Sequence, residues 1–114
     1  MKIEIQLPPT KYTWTIFIAK TLEKADKEVR KSFKNVDFSD LGETTEAFSC
    51  HFVYKKEKFI ITGLPKNASD LIIIHEVTHI TWYLASLCGF NYKKDPELQC
   101  YFIEYLYDEL KKHL

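Results

Sequence analysis

The chain has 114 residues and a mass of 13.5 kDa, which is the size of a single domain spanning residues 1–114. Hydrophobic residues make up 46% of it, and 16 basic residues balance 16 acidic ones. This composition excludes a disordered chain, and the lack of a basic excess argues against nucleic-acid binding and against a polybasic membrane anchor.

The first third of the chain predicts two strands followed by a helix. Residues 2–7 alternate between apolar and polar side chains, which is typical of a half-buried strand, and Pro8-Pro9 would end it. A second strand is expected from Tyr12 to about Ile18, although part of this stretch also fits helical spacing. The following residues, rich in Lys, Glu and Ala, predict a helix from about Lys20 to Phe33, and residues 35–45 resemble a loop.

A hairpin is predicted next. Residues Phe48–Tyr54 alternate as a strand, Lys55–Lys58 would form the turn, and Phe59–Thr62 would be the returning strand. We expect the segment Gly63–Asn67 to end the sheet.

Two helices are predicted to complete the domain. The first runs from Ala68 to Cys88, with Asn67 or Ser69 as its N-cap and Gly89 just beyond its end. The second opens with Asp95-Pro96-Glu97 and continues to about Lys112. Their short connection predicts antiparallel packing, so we expect an α+β fold with a small mixed or antiparallel sheet and three helices.

The sequence also bears on the compartment. The longest uninterrupted apolar run, Leu71–Ile74, is far shorter than the ~20 residues that span a bilayer, so we expect no membrane association. Cys50, Cys88 and Cys100 are odd in number and show no CxxC spacing. They are interpreted as reduced thiols of a cytoplasmic protein.

The long apolar helix contains the sequence His75-Glu76-Val77-Thr78-His79, an HExxH motif. Residues four apart lie on one face of a helix, so both imidazoles can reach one zinc ion. Glu76 is offset by one residue, where it can act as a general base on a water molecule. The alternative is a pair of histidines with ordinary hydrogen bonds, but such a cluster on an apolar helix is costly without a partner.

A catalytic zinc normally has three protein ligands. The HExxHxxGxxH pattern is excluded, because Trp82 and Ala85 occupy its glycine and third histidine positions. The leading candidate for the third ligand is Glu97, separated from His79 by 17 residues at the start of the last helix, and Glu104 is the second candidate. The structural alternative is that Glu97 only complements the helix dipole.

With these features the sequence resembles a small gluzincin-type metallopeptidase, in which HExxH lies on one helix and a glutamate ligand on the next. More narrowly, it is similar to short zincin-like proteins of bacteriophages and prophages and to the minimal core of ImmA/IrrE-type peptidases. The resemblance covers roughly residues 46–112 and includes the hairpin, the HExxH helix and the D-x-E segment that opens the last helix.

The resemblance implies one zinc ion per chain bound by His75, His79 and Glu97, with Glu76 as general base. It also implies that an edge strand of the hairpin holds an extended peptide by backbone pairing. A side chain that stabilises the developing oxyanion is expected, and it could be any of four residues. These are His51, Tyr83, Tyr101 and Tyr105.

Two functional hypotheses follow. The first is a zinc-dependent metallopeptidase acting on a peptide or protein substrate in the cytoplasm, of a bacterial host if the protein is phage-encoded. The alternative is a weakly active or inactive zinc-binding protein that acts by protein–protein interaction on a host or virion protein. A third reading, a purely structural metal, leaves the glutamate at position 76 unexplained.

The aromatic last helix predicts an exposed patch suited to a homodimer.

Overall fold

The computed structural model describes residues 1–8, 10–37 and 46–114. The elements, in chain order, are β1 (Lys2–Gln6), β2 (Thr13–Ala19), α1 (Leu22–Ser32), β3 (Phe48–Tyr54), β4 (Glu57–Pro65), α2 (Asp70–Cys88) and α3 (Pro96–Lys111). Most of the predicted loop at residues 35–45 lies outside the described residues.

The four described strands form one mixed sheet in the order β1-β2-β4-β3. β1 pairs with β2 and β3 pairs with β4 in antiparallel fashion, whereas β2 and β4 are parallel. The predicted α+β class, with a small sheet and three helices, is therefore confirmed, and the sheet is the mixed variant. β1 and β3 lie at the two edges.

The hairpin differs from the prediction in its turn and in its second strand. Only Lys55 and Lys56 form the turn, and both have positive φ angles (50° and 69°), as a two-residue hairpin turn requires. The predicted break at Gly63 is wrong, since β4 continues to Pro65. The parallel partner β2 extends it, with Gly63 opposite Phe17.

Helices cover both faces of this sheet. α1 packs on one face, where Phe17, Val29, Phe33 and Phe48 belong to one buried cluster. α2 and α3 cover the other face, where the buried Trp14 side chain joins the larger cluster. The middle of β2, from Trp14 to Ile18, is buried and contributes to two cores, which explains why its sequence is mostly apolar.

The caps of α2 and α3 follow the sequence. The Ser69 hydroxyl accepts a hydrogen bond from the backbone N–H of Ile72, and the Asp95 carboxylate accepts one from Leu98. α2 begins at Asp70, two residues later than predicted. The two helices are antiparallel, because Asp70 at the start of α2 lies beside Tyr107 near the end of α3.

α2 is also the one helix among the described residues that is long and apolar enough to cross a membrane, with 19 residues and a mean hydropathy of 1.3. Ile73, Val77, Ile80 and Leu84 on this helix are fully buried against the sheet and α3. In all, 33% of its apolar window is buried inside the structure, and the core helix of a soluble protein passes the same test of length and composition.

Gly63 provides a test of the packing on the α1 face. A Cβ atom at this position would lie 2.6 Å from Cε1 and 2.8 Å from Cε2 of the buried Phe48 ring. We expect Gly63→Ala to lower the free energy of unfolding by about 1–3 kcal/mol, because the ring must move within a packed core. Chemical denaturation measures this. In a Phe48→Leu background, Gly63→Ala should lower the free energy of unfolding by less. An equal loss in both backgrounds would contradict the contact between position 63 and the Phe48 ring.

Candidate metal centre

The two histidines of the HExxH motif lie on the solvent-exposed side of α2. The Nε2 atoms of His75 and His79 are 3.1 Å apart, and their ring centroids are 4.8 Å apart. Two imidazole nitrogens bound to one tetrahedral zinc at ~2.0–2.1 Å would be about 3.3 Å apart. The observed spacing is close to that of two ligands of one zinc ion, and it is also that of a hydrogen bond between the two rings.

Glu76 completes this cluster from the buried side of the helix. Potential ligand atoms of His75, Glu76 and His79 all lie within 4.8 Å of one another, and this is the one such group of three found among the described residues. Glu76 itself is only 3% exposed. One residue of offset on the helix thus places the carboxylate against the sheet while the imidazoles face solvent.

A chain of hydrogen bonds from the sheet holds the Glu76 carboxylate. Ser49 Oγ on β3 donates to Glu76 Oε1 at 2.9 Å, and it lies 2.7 Å from Thr62 Oγ1 on β4. Thr62 Oγ1 in turn accepts a hydrogen bond from Trp14 Nε1 on β2 at 2.8 Å. The indole N–H only donates and an ionised carboxylate only accepts, so each hydroxyl must donate toward Glu76.

This chain has electrostatic consequences for the carboxyl group. Burial raises the pKa of Glu76, while the hydrogen bond from Ser49 and the nearby imidazoles of His79 and His75 act in the opposite direction. Ser49 bonds to Oε1, and none of these donors bonds to the second carboxylate oxygen. The arrangement can therefore anchor one oxygen and leave the other free of these hydrogen bonds.

Tyr83 connects the histidine face of α2 to β3. Its ring stacks on His79 with a centroid distance of 6.2 Å and lies 4.7 Å from the ring of His51. Its hydroxyl donates to the backbone oxygen of Ser49 at 2.9 Å, and burial raises the pKa of Tyr83 to about 12. Among the four predicted oxyanion-stabilising residues, the structure places Tyr83 against His79 and His51 against Tyr83.

The other two candidates, Tyr101 and Tyr105, stack on each other on α3, with ring centroids 6.1 Å apart. α3 lies on a different side of α2 from the histidines. It contacts Thr81 through Gln99 Nε2 at 3.3 Å. Because a helix turns about 100° per residue, Thr81 points about 200° around α2 from His79.

This packing decides where the two predicted glutamate ligands lie. Glu97 and Glu104 are exposed residues of α3, and the structure does not bring either of them into the group formed by His75, Glu76 and His79. Sequence spacing shows which face of its own helix a residue occupies, but not which face of α2 the next helix will cover.

The sequence analysis missed the residues that support Glu76. Ser49 and Thr62 are opposite each other in the β3–β4 register, and both point toward α2. The available signal was a hydroxyl residue on each strand, at positions that would face each other in the paired hairpin.

Comparison of the chain with protein-family models, curated proteins and solved structures finds no match.

The histidine pair predicts the outcome of a zinc-content measurement. At saturating zinc we expect about one ion per chain, strongly reduced in His75→Ala and in His79→Ala, because each variant removes one of two imidazole ligands. His113→Ala is the matched control, since His113 follows α3 and is exposed. Elemental analysis after removal of excess metal measures this.

The same experiment tests the third ligand. Glu97→Ala is expected to retain its zinc, because α3 covers the opposite side of α2. A loss of zinc in Glu97→Ala as large as in His79→Ala would contradict this geometry.

The hydrogen-bond chain predicts a stability effect. Thr62→Val keeps the shape of the side chain but leaves the buried Trp14 N–H without an acceptor, and we expect a loss of about 1–3 kcal/mol in the free energy of unfolding. Chemical denaturation of the metal-free protein measures this. The double variant Trp14→Phe, Thr62→Val removes donor and acceptor together. If the effects of its two substitutions were simply additive, the proposed contact would be wrong.

Proposed function

We propose that this protein is a zinc-dependent hydrolase of peptide bonds that acts in the cytoplasm. The observation that carries this proposal is the buried Glu76 carboxylate, held through one oxygen by Ser49 and adjacent to the His75–His79 pair. A glutamate that served only packing would not need to be buried beside two imidazoles, because burying a carboxylate is costly. A role as proton acceptor accounts for the hydrogen-bond chain that holds it.

His75 and His79 would hold the metal. A bound zinc ion would supply Lewis acidity and would lower the pKa of a water molecule. Glu76 is suited to accept the proton of that water through its free oxygen and to return it to the leaving amine. Its anchored oxygen keeps the carboxylate in one orientation during both transfers.

The outer edge of β3 supports an extended peptide as the substrate. In an antiparallel pair, the backbone groups of successive residues point alternately toward the partner strand and away from it. The backbone oxygen of Ser49 accepts its hydrogen bond from Tyr83, so the backbone groups of Ser49, His51 and Val53 point away from β4. No described strand pairs with this edge. A peptide that paired with it would pass beside the ring of Tyr83 and hence beside His79.

A cytoplasmic location is supported by the free cysteines. Cys50, Cys88 and Cys100 are unpaired thiols, and burial raises the pKa of Cys50 to about 12, which keeps this thiol protonated. A reducing compartment suits such a chain.

A second candidate function is favoured by the placement of α3. Apart from the buried Glu76, the described part of the chain brings no third potential protein ligand to the histidines, since Glu97 and Glu104 lie elsewhere. A zinc-binding protein that acts by contacting another protein, with little or no turnover, fits this coordination. Such a protein would not depend on the proton-accepting ability of Glu76.

The substitution Glu76→Gln separates the two candidates. It keeps the size and the acceptor oxygen for Ser49 but removes the base, so hydrolysis should fall by at least about a hundredfold, within the range attributed to general base catalysis. A pool of internally quenched fluorescent peptides, incubated with the zinc-loaded protein, provides the assay.

The matched control is Glu104→Gln, an identical change at an exposed glutamate of α3, which should keep full activity. Zinc content and helicity by circular dichroism should be unchanged in both variants. Hydrolysis that persists in Glu76→Gln, or that is absent from the zinc-loaded parent protein, would refute the peptidase proposal.

A further inference from the structure

The exposed side of α2 carries an apolar stripe beside the histidines that the hydrolase proposal does not use. Leu71 is 80% exposed, Trp82 54% and Ile74 42%. On a helix with 3.6 residues per turn, Leu71, His75 and Trp82 point within about 40° of one another. Single exposed apolar residues are ordinary, but three along one helix face form a patch of the kind that binds another surface.

The exposed side of α2 that carries this stripe and the two histidines has no charged side chain. Its positions are Leu71, Ile74, His75, Thr78, His79, Trp82 and Ser86. A second copy of the chain therefore meets no like-charge repulsion here. Exposed tryptophan at such a patch is typical of the centre of a protein interface.

The histidines are also short of ligands. A closed zinc site has four protein ligands, usually imidazole or thiolate groups. His75 and His79 supply two, Glu76 is buried and bonded to Ser49 through one oxygen, and the glutamates of α3 lie on another side of α2. Both imidazoles are exposed, so further ligands can approach the pair from the solvent side.

We propose that two copies of this chain share one zinc ion, bound by His75 and His79 of each copy, with their α2 helices antiparallel. A twofold axis perpendicular to both helix axes makes the two helices antiparallel. It leaves a given edge of the stripe on the same side of the interface in both copies. Leu71 of one copy then lies beside Trp82 of the other. The apolar contacts and the four ligands thus come from one symmetric arrangement.

A cavity next to Trp82 fits this arrangement. It has a volume of about 450 Å³ and is lined by Trp82, Phe90, Tyr92 and neighbouring residues of the α2–α3 connection. Trp82 forms its wall because it packs edge-on against Tyr92, with ring centroids 5.6 Å apart. In the antiparallel dimer this cavity is the place that receives Leu71 of the second copy.

The inference rests on the metal centre of the proposed function but not on hydrolysis. With four imidazoles bound, the ion has no free position for a substrate, so the shared form would be an inactive state. Mass action favours it when zinc is scarce, at one ion per two chains, whereas excess zinc favours one ion per chain. The dimer would then be a zinc-dependent resting form.

Sedimentation equilibrium of the full chain with defined amounts of zinc tests the proposal. In a chelator we expect a monomer of 13.5 kDa, and at half an equivalent of zinc a particle of twice that mass. Trp82→Lys keeps both histidines and should raise the dissociation constant of the dimer at least about tenfold. Val53→Lys, at an exposed apolar residue of β3, should leave it unchanged, and so should Glu76→Gln.

Several results would overturn the dimer. They are a zinc-loaded monomer at half an equivalent, a dimer that persists in the chelator, and a dimer as stable in Trp82→Lys as in the parent. The first of these leaves the hydrolase proposal intact, because zinc still binds. Absence of zinc binding at every ratio would overturn both proposals. Circular dichroism of each variant shows whether it is folded, so that loss of the dimer can be distinguished from unfolding.

Discussion

Burial of the Glu76 carboxylate is the constraint on which the geometry of the site depends. A buried carboxylate needs a hydrogen-bond donor, and Ser49 on β3 provides it. Meeting this need fixes the rotation of α2 about its own axis, with Glu76 facing the sheet. The residues one before and three after it, His75 and His79, then face solvent together. One buried contact thus determines both the acidic and the imidazole part of the centre.

The register of the hairpin is the second requirement. Ser49 meets Glu76 only because it stands opposite Thr62 on the face of the sheet that α2 covers. A slip of one residue would turn Phe48 or Cys50 toward α2 instead. The two-residue turn at Lys55 and Lys56 prevents this, since a turn of that length closes the strands in one register. A local backbone preference at the end of the hairpin therefore controls a site about six residues away along β3.

Much of the fold could be predicted from the sequence, because its elements are marked by local signals. The alternation in β1 and β3, the caps at Ser69 and Asp95 and the apolar run of α2 are all local. The predicted end of the sheet at Gly63 was wrong for a non-local reason, since β2 pairs with this segment. The HExxH motif correctly indicated which side chains of α2 lie together. Whether α3 reaches the histidines depends on how the two helices pack, and residue spacing does not encode this packing. Glu97 was therefore predicted as the third zinc ligand without that information.

A zinc ion held by two imidazoles that face solvent on one helix would need its remaining ligands from outside the core of that helix. The hydrolase proposal supplies them as water and substrate, and the shared-ion proposal supplies them as a second copy. Both depend on the same feature, namely that α3 packs at Thr81 and Asp70 and so leaves the histidine face of α2 uncovered. The apolar side chains on that face favour contact with a protein surface. The hydrogen-bonded carboxylate of Glu76 is instead suited to accept a proton from a water molecule. A centre with both features is suited to alternate between a closed, shared state and an open one, and the ratio of zinc to protein would decide between them.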